Sequence, residues 1–405
     1  MMPIMTVNDG SEVVVVGAGP AGLTTAIALA QAGLTTTLVA REAPADHRTT
    51  ALLAGSITAL ETLGVWNRCA GQAAPLKVMR IVDATVRLIR APEVYFSAEE
   101  IGLDAFGYNI ENKHLVAALA ARARELPSLS LIKDEARAVE TRDDNVTIRL
   151  KSGGAVTARL AVGADGRRSL CRAAAGIETA ASRYPQIALT FNLGHTRPHN
   201  FASTEFHAEG GPFTLVPLPG LRSSLVCVVQ PADARRLSAL DDDALSREIE
   251  RRSHSILGKI TVEAGRGEFP LSIETARQFA ANRIALVGEA AHLVPPIGAQ
   301  GLNLGLRDAA MIGELAVAAH RGGDDVGADD LLRRYDAARR ADVQSRSVAI
   351  DLMNRSLLSD FLPVQGIRGL GMFLIDRIGP LRRAVMREGV APRTAQPRLM
   401  RGDAI

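Results

Sequence analysis

Val13-Val14-Val15-Val16-Gly17-Ala18-Gly19-Pro20-Ala21-Gly22 is the stretch that decides the fold of this chain. Four β-branched residues in a row suit a parallel strand buried on both faces. The glycines and Pro20 follow at once, and Leu23 to Ala32 then reads as a helix closed by Gly33. Thr35 to Val39 is the next strand, so strand, tight turn, helix and strand fit the length of a βαβ unit. In that setting Gly-x-Gly-x-x-Gly is a dinucleotide fingerprint rather than an ordinary glycine turn. Gly17 permits the turn, Gly19 lets backbone approach a pyrophosphate, and Gly22 lets helix and strand lie close. The helix start, with Pro20 and Ala21, offers N–H donors and positive potential to phosphate.

An acidic residue is expected at the end of the second strand, on the adenosine ribose. Ala40 stands there instead, followed by Arg41 and Glu42. Either Glu42 reaches back or other groups, Arg41 among them, hold that end.

Outward from this unit, strand-like segments near residues 158 and 284 complete a set with those near 13 and 36. Val146 to Leu150 and Val156 to Val162 read as a hairpin. A β-rich block fills 180–275, and alternation between Lys77 and Ser97, including Val86 to Arg90, predicts more strands. Helices are expected over 51–66, 112–126, 235–256 (charged, hence exposed) and 302–319, with an arginine-rich helical remainder and a loose tail after Ala391. The expected architecture is α/β: a discontinuous Rossmann-like domain (1–76, 98–180, 276–330), an inserted antiparallel sheet (77–97, 181–275), and a C-terminal helical segment (331–405).

Composition bounds the function. The 405 residues carry a net charge of +3 with no long basic run, which gives no case for nucleic-acid binding. Cys69, Cys171 and Cys227 lack metal-ligand spacing and read as small core residues of a reducing compartment, so no metal is expected. No basic leader precedes an apolar stretch, and no uncharged apolar run reaches the roughly 18–20 residues that span a bilayer. A cytoplasmic protein is expected.

Two further motifs each follow a predicted strand. Gly163-Ala164-Asp165-Gly166-Arg167-Arg168-Ser169 alone reads as a turn. Gly288-Glu289-Ala290-Ala291-His292 runs through Pro295-Pro296-Ile297-Gly298-Ala299-Gln300-Gly301 into the helix that begins with Leu302 and Asn303. Glu289 can accept hydrogen bonds from sugar-alcohol hydroxyls. Gly298 and Gly301 allow backbone to approach a planar ligand. The helix start aims positive potential into the loop, which suits a ring that becomes anionic on reduction. Gly288, Gln300, Leu302 and Asn303 are counted with this ligand-binding set. His292 is either a catalytic base or, as expected here, a histidine bonded within its own surroundings.

These three motifs, in this order and spanning the chain, resemble the FAD-dependent aromatic hydroxylases typified by para-hydroxybenzoate hydroxylase. The resemblance implies FAD as cofactor and NAD(P)H as co-substrate, with O₂ used to hydroxylate an electron-rich phenolic ring. It implies that Gly17, Gly19 and Gly22 hold the pyrophosphate, that Arg48 supports the cofactor, and that Asp165 lies in a motif associated with both FAD and NAD(P)H. Glu289 stands where the family usually has aspartate on the ribityl chain, and Pro296 beside flavin and substrate, the position counted as catalytic. Thr204-Glu205-Phe206, Gly211 to Leu218, Gly301 to Asp308 and Arg368-Gly369-Leu370 are most similar to the hydroxylases of ubiquinone biosynthesis. That implies a prenylated substrate, with Phe213, Leu215 and Pro217 as wall residues or plain strand core. The apolar stretch 366–378 with its arginines then offers a peripheral contact with the inner membrane or a biosynthetic complex, or else a packed helix. A hydroxylase of small soluble phenols, a flavin-dependent prenyl reductase and a non-catalytic flavin-binding subunit are the competing readings.

Overall fold

The computed structural model describes residues 6–42, 46–85, 91–296, 298–358, 371, 373–375, 377–390 and 396–405. The strand read at Val86–Arg90 and the Arg368–Leu370 motif lie outside them.

The first sheet has eight strands among the described residues, and five of them are parallel, in the spatial order Ile284–Leu286, Ala155–Gly163, Thr6–Val16, Thr36–Ala40, Leu129–Lys133. Val13, Val14 and Val15 have no exposed surface at all, as a doubly covered strand requires. The hairpin is present, with Val146 opposite Ala158. Helix Pro20–Gln31 covers one face of this sheet and packs along helix Gln300–Gly322.

The second sheet joins strands from both halves of the chain. Its order is His292–Leu293, Gly267–Ala276, Thr179–His195, Arg222–Val229, Gly211–Leu218, Ala202–Ala208, Val78–Asp83, Val94–Ser97. It is antiparallel except where Ala202–Ala208 runs parallel to Val78–Asp83. Helices Pro231–Ser238 and Asp242–Arg252 bury Leu237, Leu245 and Ile249 on its outer face. Their many charges had suggested exposure, but the apolar residues fall on one side and make both helices amphipathic.

Two expectations change. Residues 51–66 are not one helix: Thr49–Leu53 is a strand of a small third sheet with Gly107–Glu111 and Ala73–Pro75, and the helix is Ala54–Thr62. Side-chain hydrogen bonds from a distant residue, Asn303, hold that strand. Helix Asp329–Leu358 continues the C-terminal segment, and helix Gly379–Val390 follows. Finally, the described part of the tail is packed, with Leu399 and Met400 buried in the turn Arg398–Arg401.

Candidate functional site

Strand Thr6–Val16 delivers the first glycine loop to the carboxyl edge of the parallel sheet. Gly17 has φ +110°, and a Cβ there would strike the Ala164 carbonyl, so the turn tolerates no side chain. A Cβ on Gly22 would strike the Gly17 carbonyl oxygen and lie 2.9 Å from the Ala164 Cβ. Gly19 differs: nothing lies within 4 Å of a Cβ built on it. It is the N-cap of helix Pro20–Gln31, which has no side-chain cap and no acidic residue in its first turn. An uncapped, unopposed helix start facing open space fits a pyrophosphate.

The third motif lies directly alongside. A Cβ on Gly305 would meet the Gly288 Cα at 3.2 Å and the Ala21 Cβ at 3.3 Å. These small residues let the two helices and the Gly288 turn pack closely, so both glycine loops open at the same sheet edge. Gly298, at φ +64°, is exposed with nothing within 4 Å of its Cβ position, and Ala299 caps the next helix at φ +55°. That helix too lacks a side-chain cap and an acidic first turn. Pro296 and Gly301 are exposed, and Leu302 is half-buried against the core.

Charges link the remaining segments. Arg48 grips both oxygens of Asp46 at 2.9 Å, and Asp46 also accepts from Asn112. Asp46 above all, with the charge of nearby Glu289 adding to it, raises the proton affinity of the guanidinium. Glu289 acts in the same sense on Arg167, which pairs with Glu274 of the inserted sheet. Glu289 itself is exposed. Arg48, Arg167 and Glu289, from three separate segments, therefore lie close to one another.

Some sequence-predicted residues turn out to be occupied by protein. Asp165 accepts from the Ser169 hydroxyl at 2.6 Å and from the Leu170 and Cys171 N–H groups at 2.7 and 3.2 Å. It caps the short helix Leu170–Ala174, which is the turn reading of that motif. Asn303 donates to the Ala51 and Ala299 carbonyls and accepts from the Leu53 N–H and the Ser56 hydroxyl. Its side-chain capacity is used up, so only its backbone is left for a cofactor. Gln300 bridges the Gly298 carbonyl and Arg346. At the adenosine end, Ala40 closes its strand, Arg41 is exposed, and Glu42 pairs with Lys133 at 2.8 Å. Glu42 thus points to the neighbouring strand rather than back.

His292 is buried, with Nε2 2.6 Å from Asp308 Oδ2, so it is a bonded core histidine. Asp308 also accepts from the Gly288 N–H at 2.9 Å and from Arg339 at 2.6 Å. Burial works against its charge, yet His292 and Arg339 overcome that and bring its pKa down to about 2. Asp308, Arg339 and Arg172 are the residues that sequence reasoning missed. Arg172 donates to the Ala290 and Arg167 carbonyls at 2.8 and 2.7 Å and ties the second motif to the third. Only Asp308 carried any signal, inside the Gly301–Asp308 stretch.

On the inserted sheet, Phe213 and Leu215 point outward into the core with Phe206, Leu237 and Ile249. They are strand core, not walls of this mouth.

The FAD binding domain family matches residues 10–348. A ubiquinone hydroxylase, UbiL of Rhodospirillum rubrum, is 36% identical over 97% of this chain and 93% of its own length. The 3-demethoxyubiquinol 3-hydroxylase of Escherichia coli is 31% identical over 94% and 98%. Among solved structures, p-nitrophenol 4-monooxygenase PnpA of Pseudomonas putida superposes with a TM-score of 0.77 over 95% of this chain and 99% of that one, at 20% identity. The fold, the paired glycine loops and these relatives agree: the chain belongs to the FAD-dependent aromatic hydroxylase family and is an FAD-dependent monooxygenase.

Proposed function

We propose that this chain hydroxylates the ring of a prenylated phenol, a precursor of ubiquinone, using NAD(P)H and O₂. The observation that carries the reading is the pair of uncapped helix starts, at Gly19 and Ala299, opening side by side on one sheet edge. Ubiquinone hydroxylases among the full-length relatives support the substrate class.

Bound FAD would supply the electron transfer and oxygen chemistry. The chain's own residues do the rest. Gly17, Gly19, Pro20, Ala21 and Gly22 present backbone to the pyrophosphate, with Arg41 at the adenosine end. Arg48 and Glu289 flank the ribityl region, and Asp165 and Gly288 hold the loops that frame it. Pro296, Gly298, Gln300, Gly301, Leu302 and Asn303 form the edge against the flavin ring. The helix that begins there favours negative charge developing on the ring.

No helix among the described residues is long and apolar enough to cross a membrane. Phe373, Leu374, Ile378, Leu381 and Val385 are nevertheless exposed, near Arg377, Arg383 and Arg387. Arg382 instead packs inward on Phe96 and pairs with Glu100. We assign the exposed face to contact with the membrane that holds the prenylated substrate. The test is oxidation of NAD(P)H under air with a 2-prenylphenol. A product heavier by one oxygen atom is expected; NAD(P)H consumption with no hydroxylated product from any prenylphenol would refute the reading. Sedimentation with anionic vesicles checks the surface contact.

A further inference from the structure

The face of the inserted sheet opposite Phe206, Phe213 and Leu215 carries an unassigned, partly buried carboxylate, Glu205. Side chains alternate along a strand and directly paired residues share a face. Glu205 is paired with Thr214, and Thr214 with Val226, so these three face away from the outer core. On the same face Ser224 accepts from Asn109 at 3.1 Å, and Asn192 donates to Glu111 at 3.3 Å. Asn109 and Glu111 belong to the small sheet, whose strand Thr49–Leu53 is held by Asn303 in the first turn of the flavin-ring helix. Further out, Gln186 accepts from Asn354 of helix Asp329–Leu358. The row Glu205, Thr214, Val226, Thr190 crosses this face at a level between these contacts, and at its Glu205 end meets Ile81, which packs with Phe106 and Met386.

Glu205 Oε1 is 2.8 Å from His207 Nε2, and Oε2 accepts from the Thr214 hydroxyl at 3.3 Å. His207 is nine-tenths buried and the Glu205 side chain is 22% exposed. Burial opposes the charge, but the His207 hydrogen bond and charge hold Glu205 below the ordinary carboxylate range. A carboxylate has about four acceptor positions. Two are used here, and the row around it, Val226 and Ile81, is apolar.

We infer that Glu205, held by His207 and Thr214 on the inner face of the inserted sheet, accepts the hydrogen bond of the substrate's phenolic hydroxyl. This rests on the proposed hydroxylation of a phenol and adds the group that recognises it. Accepting that proton in a hydrogen bond pushes electron density into the ring, which suits oxygen transfer to the carbon positions beside and opposite the hydroxyl. It also distinguishes a free phenol from its ether, which leaves the carboxylate without a donor.

The test compares a 2-prenylphenol with its methyl ether as ligands of the FAD-loaded protein. The wild-type protein is expected to bind the phenol about tenfold or more tightly, the worth of a charged hydrogen bond. In Glu205→Gln that preference collapses and hydroxylated product per NAD(P)H falls, while flavin content stays unchanged. Equal binding of phenol and ether by the wild-type protein would overturn the inference without any variant. So would a Glu205→Gln protein that keeps both the preference and the coupling. A wild-type protein that binds the phenol preferentially but never hydroxylates it would sink the proposed reaction and leave the recognition standing.

Discussion

The two glycine loops face the same mouth but are held by different physics. At Gly17–Gly22 the glycines are required by protein atoms, since a Cβ on Gly17 or Gly22 would collide with neighbouring backbone. At Gly298–Gly301 no such collision exists: a Cβ on Gly301 meets only Val294, at 3.8 Å. That second segment is positioned from behind by charges, through Asp308 on Gly288 and His292, and through Arg346 on Gln300. One loop is held by close packing, the other by anchors behind it.

Breaking the anchor should be the most damaging change. Asp308→Ala leaves the buried Arg339 with Asp342 as its one carboxylate and takes the acceptor from His292 and the Gly288 N–H, and is expected to cost about 3–5 kcal/mol in chemical denaturation. The anchor also predicts a pH signature that the packed loop lacks. The Asp308 pKa is depressed to about 2 in the folded protein, against about 3.9 unfolded. Its stabilisation is therefore complete above about pH 4 to 5 and lost as pH falls toward 2. Acid titration of stability should show this loss in the wild-type protein and not in Asp308→Asn.

Next comes Gly22→Ala, whose methyl has no room; a loss of about 1–3 kcal/mol is expected, together with the bound flavin. Gly19→Val separates the roles. Stability should change by less than about 1 kcal/mol, because the site is open, but the flavin absorbance of the purified protein should disappear. A yellow Gly19→Val protein would contradict the pyrophosphate assignment. The smallest effect is at Glu289: Glu289→Ala should lower flavin retention and Glu289→Asp should keep it, so equal flavin content in the two would remove the ribityl contact.

The parallel sheet was legible because its signals are local. A valine run, a tight turn and a helix with a closing glycine stand within one short segment, and each reinforces the others. The third motif was legible for the same reason. What escaped depends on partners far apart in the chain. Arg172 reaches Ala290, Arg339 reaches Asp308, and Asn303 reaches the strand Thr49–Leu53. No periodicity marks such pairs. Asn303 looked like a ligand-binding residue because it sits in the right turn, yet its amide is spent on the fold. Phe213 and Leu215 show the other limit: alternation reveals that two faces exist, but not which one meets the neighbouring domain.

The central claim is that both loops serve a single FAD molecule. A crystal structure of the protein purified with FAD tests it most directly. The account predicts the pyrophosphate against Gly17–Gly22 and the isoalloxazine ring against Pro296–Gly301 of the same chain. A cofactor bound at the first loop with its ring turned away from the second would contradict it.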